Sequence, residues 1–255
     1  MLDVDYSPSE MMTVAAARRL TNRTVCFVGI GLPSAAANLA RLTHAPKIVL
    51  IYESGTIGAK PSALPLSIGD GELAETADTV VSVPEIFRYW LQGGRVDVGF
   101  LGAAQIDKYG RINTTFVGGS YEKPKVRLPG AGGAPEIAAS AKEVCIILKQ
   151  SKRSFVENLV FVTSSGFVDQ PVNGPRTRGR GRITVITDLG IMSSDPHSWE
   201  LTLVGVHPGI TAAQVREETG WSLKVAPDLA HTPMPTKQEL GTLRDLYARA
   251  AGANE

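Results

Sequence analysis

An excess of charge of either sign is missing from this sequence. Across 255 residues, 26 Lys and Arg face 25 Asp and Glu, a formal charge of +1, so no bulk field draws the molecule to nucleic acid or anionic lipid. Cysteine is scarce. Only Cys26 and Cys145 occur, each inside an apolar run with no Cys-x-x-Cys spacing and no neighbouring His, so they read as small reduced core residues and not as metal ligands. His44, His197, His207 and His231 fall at no metal-ligand spacing either, and His207-Pro208-Gly209 reads as a structural turn. No apolar stretch approaches the roughly 18 residues that a membrane helix needs, and the N-terminal MLDVDYSPSE lacks an apolar signal core. A cytoplasmic location is therefore expected. Internal repeats, low-complexity tracts and linkers are absent as well, which predicts one domain over residues 1–255. With 43% apolar and 20% charged residues the composition is globular, and disorder is excluded.

What is abundant is backbone punctuation: 26 Gly and 16 Pro, as expected where loops at strand ends do the work. Ser7-Pro8-Ser9-Glu10 is a capping box with proline at the first helical position, and Met12, Ala15, Ala16 and Leu20 continue a helical stripe. TVCFVG (24–29), a helical pattern from Pro33 to Leu42, and KIVLIY (47–52) then compose a βαβ unit. Both strands are apolar throughout instead of alternating, so both faces are expected to be covered, in a largely parallel open sheet flanked by helices. Residues 54–71 show no periodicity and predict a long functional loop. A short helix from Ser82 and Pro84, a strand over 95–102, a strand after the YGRINTT turn (109–115), a helix entered from RLPGAGGAPEIAAS (127–140) and a buried strand over 143–149 keep the βα rhythm. Beyond Lys152, NLVFVTS, RITVITDLGIMSSD and WELTLVGVHPG are strand-like with hairpin turns and predict an antiparallel C-terminal extension. Thr211 caps a helix ending near Gly220, and an amphipathic helix runs from about Thr236 to Ala250.

Several strand ends carry candidate chemistry. Gly29-Ile30-Gly31-Leu32-Pro33-Ser34 followed by Glu53 has the outline of a dinucleotide fingerprint, which leaves an NAD-linked oxidoreductase open. However, Ser34 stands where the third glycine or alanine belongs, and Pro33 removes an N–H donor. Glu53, in Tyr52-Glu53-Ser54-Gly55, ends a buried strand and opens a Gly-rich loop, where open α/β sheets place ligands. Gln105, just after the next strand, is suited to orienting a carbonyl or carboxylate. Gly130-Ala131-Gly132-Gly133 precedes a helix, so successive N–H groups can converge on a phosphate or a developing oxyanion. Asp70 and Glu72 lie in the loop beside this site without an assignable role, and the Arg176 to Arg182 run reads as an exposed hairpin loop.

Together, YESG, LGAAQID(K)YG, (R)LPGAGGA and VHPGITAAQVREETGW resemble the second (B or β) subunit of class I coenzyme A transferases, in their glutaconate-like branch. The resemblance runs from the first helix to about Leu223. It implies the CoA-transferase α/β fold and a ping-pong reaction between an acyl-CoA and a carboxylic acid, with Glu53 as nucleophile forming a glutamyl-CoA thioester. Gly132 and Gly133 are then expected to supply the oxyanion hole, and Ser54, Gly55, Gln105, Gly130 and Ala131 to contact substrate. The resemblance also implies a partner A (α) subunit in a hetero-oligomer, no metal, and no tightly bound cofactor, coenzyme A being part of the substrate. Relatives of this fold that lost the glutamate act as CoA-thioester decarboxylases or C–C hydrolases; this sequence keeps Glu53, which favours transfer.

Overall fold

The computed structural model describes residues 5–165 and 181–252. The N-terminal capping box forms, with Ser7 Oγ accepting from Glu10 N at 3.2 Å and Ser7 N donating to Glu10 Oε2 at 2.7 Å, and it opens α1 (Pro8–Ala17). The βαβ unit follows as β1 (Val25–Phe27), α2 (Leu32–Leu42) and β2 (Val49–Ile51). Next come β3 (Thr56–Ile57), α3 (Gly71–Glu75), β4 (Thr79–Val80) and α4 (Val83–Glu85), the last running into a π-helical turn over Ile86–Leu91. The middle of the chain holds β5 (Val98–Gly102), the short pair β6 (Gln105–Ile106) and β7 (Ile112–Asn113), the pair β8 (Phe116–Gly119) and β9 (Pro124–Arg127), α5 (Ala134–Ser140) and β10 (Glu143–Ile147). After the segment that is not described come β11 (Ile183–Ile186), β12 (Gly190–Ser194), β13 (Leu201–Val206), α6 (Ala212–Glu217), β14 (Lys224–His231) and α7 (Lys237–Gly252).

Among the described residues, ten strands make one sheet in the order β14-β13-β12-β11-β10-β5-β1-β2-β3-β4. The five central strands, β11-β10-β5-β1-β2, are mutually parallel. Side chains alternate between two apolar layers: Cys26, Leu50, Phe100 and Cys145 enter the layer shared with α1, α2 and α7. Their neighbours Phe27, Ile51, Leu101 and Ile146 enter the layer holding Ile86, Leu91, Ile137 and Val215. That double cover is what the unbroken apolar runs predict. Burial pushes both thiols up, so Cys26 and Cys145 remain protonated packing residues. Among the described residues no helix is long and apolar enough to cross a membrane.

The loop expected over 54–71 is shorter than predicted. Thr56 and Ile57 turn straight back onto the edge of the sheet, antiparallel to β2, and β4 extends that edge. A two-residue strand leaves no periodicity to read. The antiparallel extension is present as β11-β12-β13, but NLVFVTS is not a strand; Ser164 makes only an isolated bridge to Ile112. The outermost strand, β14, pairs parallel to β13 and was not anticipated, because its exposed residues and internal Pro227 carry no strand pattern. Residues 176–180 of the arginine-rich run lie outside the described residues.

His207 is a structural group, as its turn suggested. It is buried, its Nε2 donates to the Thr187 carbonyl at 2.8 Å, and its Nδ1 lies 2.8 Å from Thr232 Oγ1, which joins the end of β13 to the chain beyond β14. Burial lowers its pKa below the usual value near 6.5. The unfolded chain then binds the extra proton more readily, so this group's contribution to stability is complete above about pH 6.5 and is lost as pH falls through the folded value. Urea midpoints should therefore drop between pH 7.5 and 5.5, and His207→Gln should flatten that dependence; an equal slope in the variant would assign the loss to other groups.

Candidate active site

Tyr52, one residue before Glu53, is fully buried at the end of β2. Its hydroxyl lies 3.3 Å from Ser34 Oγ and 3.4 Å from Asn38 Nδ2, and Asn38 Nδ2 also donates to the Ser34 carbonyl at 3.0 Å. Burial pushes the phenol up, so it stays neutral. The serine that spoiled the dinucleotide fingerprint is thus spent inside the protein, locking the first turn of α2 behind the strand that presents Glu53.

The chain reverses immediately after Glu53. Gly55 N donates to the Tyr52 carbonyl at 3.0 Å, and Val81 N donates to the Gly55 carbonyl at 3.0 Å. Gly55 has φ +106°, and a Cβ there would overlap the Val81 carbonyl oxygen. The turn is what requires glycine here, and Gly55 is not among the residues lining the cavity beside Glu53. Gly55→Ala should destabilise the protein by about 3 kcal/mol or more, from left-handed backbone strain plus the clash; an unchanged thermal midpoint would contradict this. Ser54 Oγ is buried and carries no hydrogen bond among the described residues.

Glu53 opens into a cavity of about 530 Å³ at the carboxyl ends of β1 and β5. Gly29, Ile30 and Pro33 form one wall, Ala103 and Ala104 another, and the run Leu128 to Ala134 a third. Sequence-predicted Gly130, Ala131, Gly132 and Gly133 are all in that last wall, so residues some eighty positions from Glu53 in the chain meet it in one place. Gly133 lies against the glutamate: a Cβ added there would lie 3.0 Å from Glu53 Oε1 and 2.8 Å from Phe87 Cζ. Gly130 and Gly132 take φ of +102° and +49°, which turns this backbone so that the N–H groups of Gly132 and Gly133 make no hydrogen bond among the described residues. The Glu53 carboxylate has no ion pair or hydrogen bond there either. An uncompensated carboxylate beside free N–H donors in an apolar cavity suits attack on an acyl carbon whose oxygen becomes an anion.

Gln105 is not brought to the cavity. Its Oε1 accepts from Asn113 Nδ2 at 3.0 Å and its Nε2 donates to the Arg153 carbonyl at 3.2 Å, so both ends of the amide are used internally. Asp70 and Glu72 also have structural partners: Asp70 caps α3 by accepting from Glu72 N at 3.1 Å, and Glu72 accepts from Ser62 N at 2.6 Å. Three residues that shape the site were missed. Phe87 packs against Gly133 from the π-helical turn; buried Asn113 accepts from Thr115 N at 3.0 Å and donates to the Phe116 carbonyl at 2.7 Å; Thr114 pins the glycine run by donating to the Gly130 carbonyl at 2.7 Å. The polar Asn-Thr-Thr closing an otherwise strand-like YGRINTT was the available signal.

A family model described as coenzyme A transferase matches residues 9–218. The chain belongs to the coenzyme A transferase family. It is 63% identical over 251 residues, 98% of this chain and 96% of the relative, to the B subunit of the 3-oxoadipate CoA-transferase of Pseudomonas knackmussii. Identity to the B subunit of the glutaconate CoA-transferase of Acidaminococcus fermentans is 34%, with 87% of this chain and 85% of the relative covered. The crystal structure of the glutaconate coenzyme A-transferase from that organism superposes with a TM-score of 0.86 at 30% identity over 94% of each chain. The decarboxylase AibA/AibB superposes with a TM-score of 0.80 at 27% identity over 95% of each chain. The CoA-transferase fold expected from the sequence is therefore present, and the family is that of the CoA transferases, not the NAD-linked oxidoreductases that the 29–34 turn left open.

Proposed function

We propose that this chain is the B subunit of a two-subunit CoA-transferase that exchanges CoA between an acyl-CoA and a dicarboxylic acid of the 3-oxoadipate type, with Glu53 as the nucleophile. The observation carrying the chemistry is the approach of Glu53 Oε1 to Gly133 in a cavity with no other acidic or basic side chain along its wall among the described residues. The acid class follows from the 63% identity to a protein named for 3-oxoadipate.

The Glu53 carboxylate attacks the thioester carbonyl, and the tetrahedral oxyanion is stabilised by the Gly132 and Gly133 N–H groups, each worth about 3 kcal/mol of barrier. Collapse expels CoA thiolate and leaves a mixed anhydride. The thiolate then attacks the glutamyl carbonyl, releasing the first carboxylate and forming the enzyme-glutamyl-CoA thioester. A second carboxylate runs these steps in reverse and departs as the new acyl-CoA, restoring Glu53. Water competes at both acyl intermediates, so the apolar walls and the covering A subunit serve exclusion as much as binding.

Decarboxylation on the same fold is the second reading, supported by the AibA/AibB superposition, whereas the free Glu53 carboxylate favours transfer. The test is the complex coexpressed with a CoA-transferase A subunit and supplied with an acyl-CoA plus 3-oxoadipate. Conversion of the acid to its CoA ester with total thioester conserved is expected. Thioester loss as free CoA, or carbon dioxide release without an acceptor, would select the second reading.

A further inference from the structure

The cavity wall carries one carboxylate and no cation among its described residues, yet an acyl-CoA brings several phosphate charges on its nucleotide end. The neutral pantetheine arm suits an apolar channel floored by glycine backbone; the phosphates do not. They must be held outside, at the rim.

The cavity residue Ile68 is followed in the chain by the acids Asp70, Glu72 and Glu75. A hairpin, β8 and β9, springs from the wall itself: the cavity residue Thr114 precedes it and the cavity residue Leu128 follows it. Leu128 N donates to the Thr115 carbonyl at 3.0 Å and Gly130 N to the Thr114 carbonyl at 2.9 Å, which clamps the two feet together. The hairpin exposes Lys123, Lys125 and Arg127, none of which forms an ion pair among the described residues. Its single acid, Glu122, accepts from Ser120 Oγ at 2.9 Å. Arg127 spends one donor on the Tyr121 carbonyl at 2.6 Å and lies 4.9 Å from the centre of the Tyr121 ring, which fixes the guanidinium in place with its remaining donors free.

We infer that the β8–β9 hairpin is the phosphate-binding arm for the nucleoside diphosphate end of the CoA thioester, with Lys123, Lys125 and Arg127 as its cations. This rests on the CoA-transferase reading above and adds where the charged end of the substrate lies. Lysine and arginine are the side chains that hold phosphate oxygens by charge-assisted hydrogen bonds, and a cationic rim at a cavity mouth also steers a polyanion inward.

The test compares an acyl-CoA with the same acyl group on pantetheine, which lacks the phosphates, in the complex with the A subunit. Lys123→Ala/Lys125→Ala should raise KM for acyl-CoA by at least about tenfold and reduce its dependence on ionic strength, leaving kcat/KM for acyl-pantetheine unchanged. An unaltered KM for acyl-CoA overturns the inference. So does an equal loss with both substrates, since that marks the hairpin as structural. If the wild-type complex transfers no CoA at all, the transferase reading fails separately. Calorimetry with CoA against pantetheine then decides the arm, a preference for CoA that the variant abolishes being expected and a retained preference contradicting it.

Discussion

Glu53→Gln is expected to lower kcat by about 10⁴-fold or more, the range seen when an enzyme loses the nucleophile of a covalent mechanism. The fold should survive, because the Glu53 carboxylate supports nothing else: it has no hydrogen bond or ion pair among the described residues, and Gln has the same shape. Thermal unfolding of variant and parent should coincide within a few degrees. Association with the A subunit and binding of acyl-CoA should persist, so that KM changes little while kcat collapses. A variant that retains more than about one per cent of turnover would show that the acyl group travels by another route. Loss of the folded state would instead show that Glu53 is a structural group.

The second large effect is at Gly133. A methyl group there has nowhere to go, with Phe87 Cζ 2.8 Å and Glu53 Oε1 3.0 Å from it. Phe87 is held in turn by the tilted Phe27 ring, 6.0 Å between centroids, so the carboxylate is the part that yields more easily. Displacing a nucleophile by a fraction of an ångström to an ångström costs about 10²-fold in rate. Gly133→Ala should therefore lower kcat by roughly that factor, with a stability loss of only about 1–2 kcal/mol. Shortening the other crowding side chain tests the cause: Gly133→Ala/Phe87→Leu should recover part of kcat, because the methyl group gains the room that the phenyl ring occupied. Equal kcat for Gly133→Ala and the parent would mean that this contact does not set the reacting geometry.

The sheet's centre was readable because β1, β2, β5 and β10 are continuous apolar runs, and their alternate residues do enter opposite layers. The glutamate and the glycine run were readable for a related reason. Both sit directly after strongly marked elements, and backbone N–H convergence follows from glycine at particular positions whatever surrounds it. Tertiary pairing was the hidden part. β3 is too short to carry a period, β14 is mostly exposed and interrupted by Pro227, and the fate of Gln105 depended on Asn113 and Arg153 arriving from other segments. Gly55 illustrates the same limit. Its place beside Glu53 suggested a substrate contact, but its need to be glycine comes from Val81, 26 residues on.

Chemical trapping of the acylated enzyme reaches the central claim most directly. The complex is incubated with acyl-CoA in the absence of a second acid, treated with borohydride or hydroxylamine, and digested for peptide mass spectrometry. The expected product is a single modification at Glu53, as the alcohol after borohydride or the hydroxamate after hydroxylamine, absent when free acid replaces acyl-CoA. Recovery of the Glu53 peptide unmodified from a complex that still moves CoA between acids would contradict the proposed nucleophile.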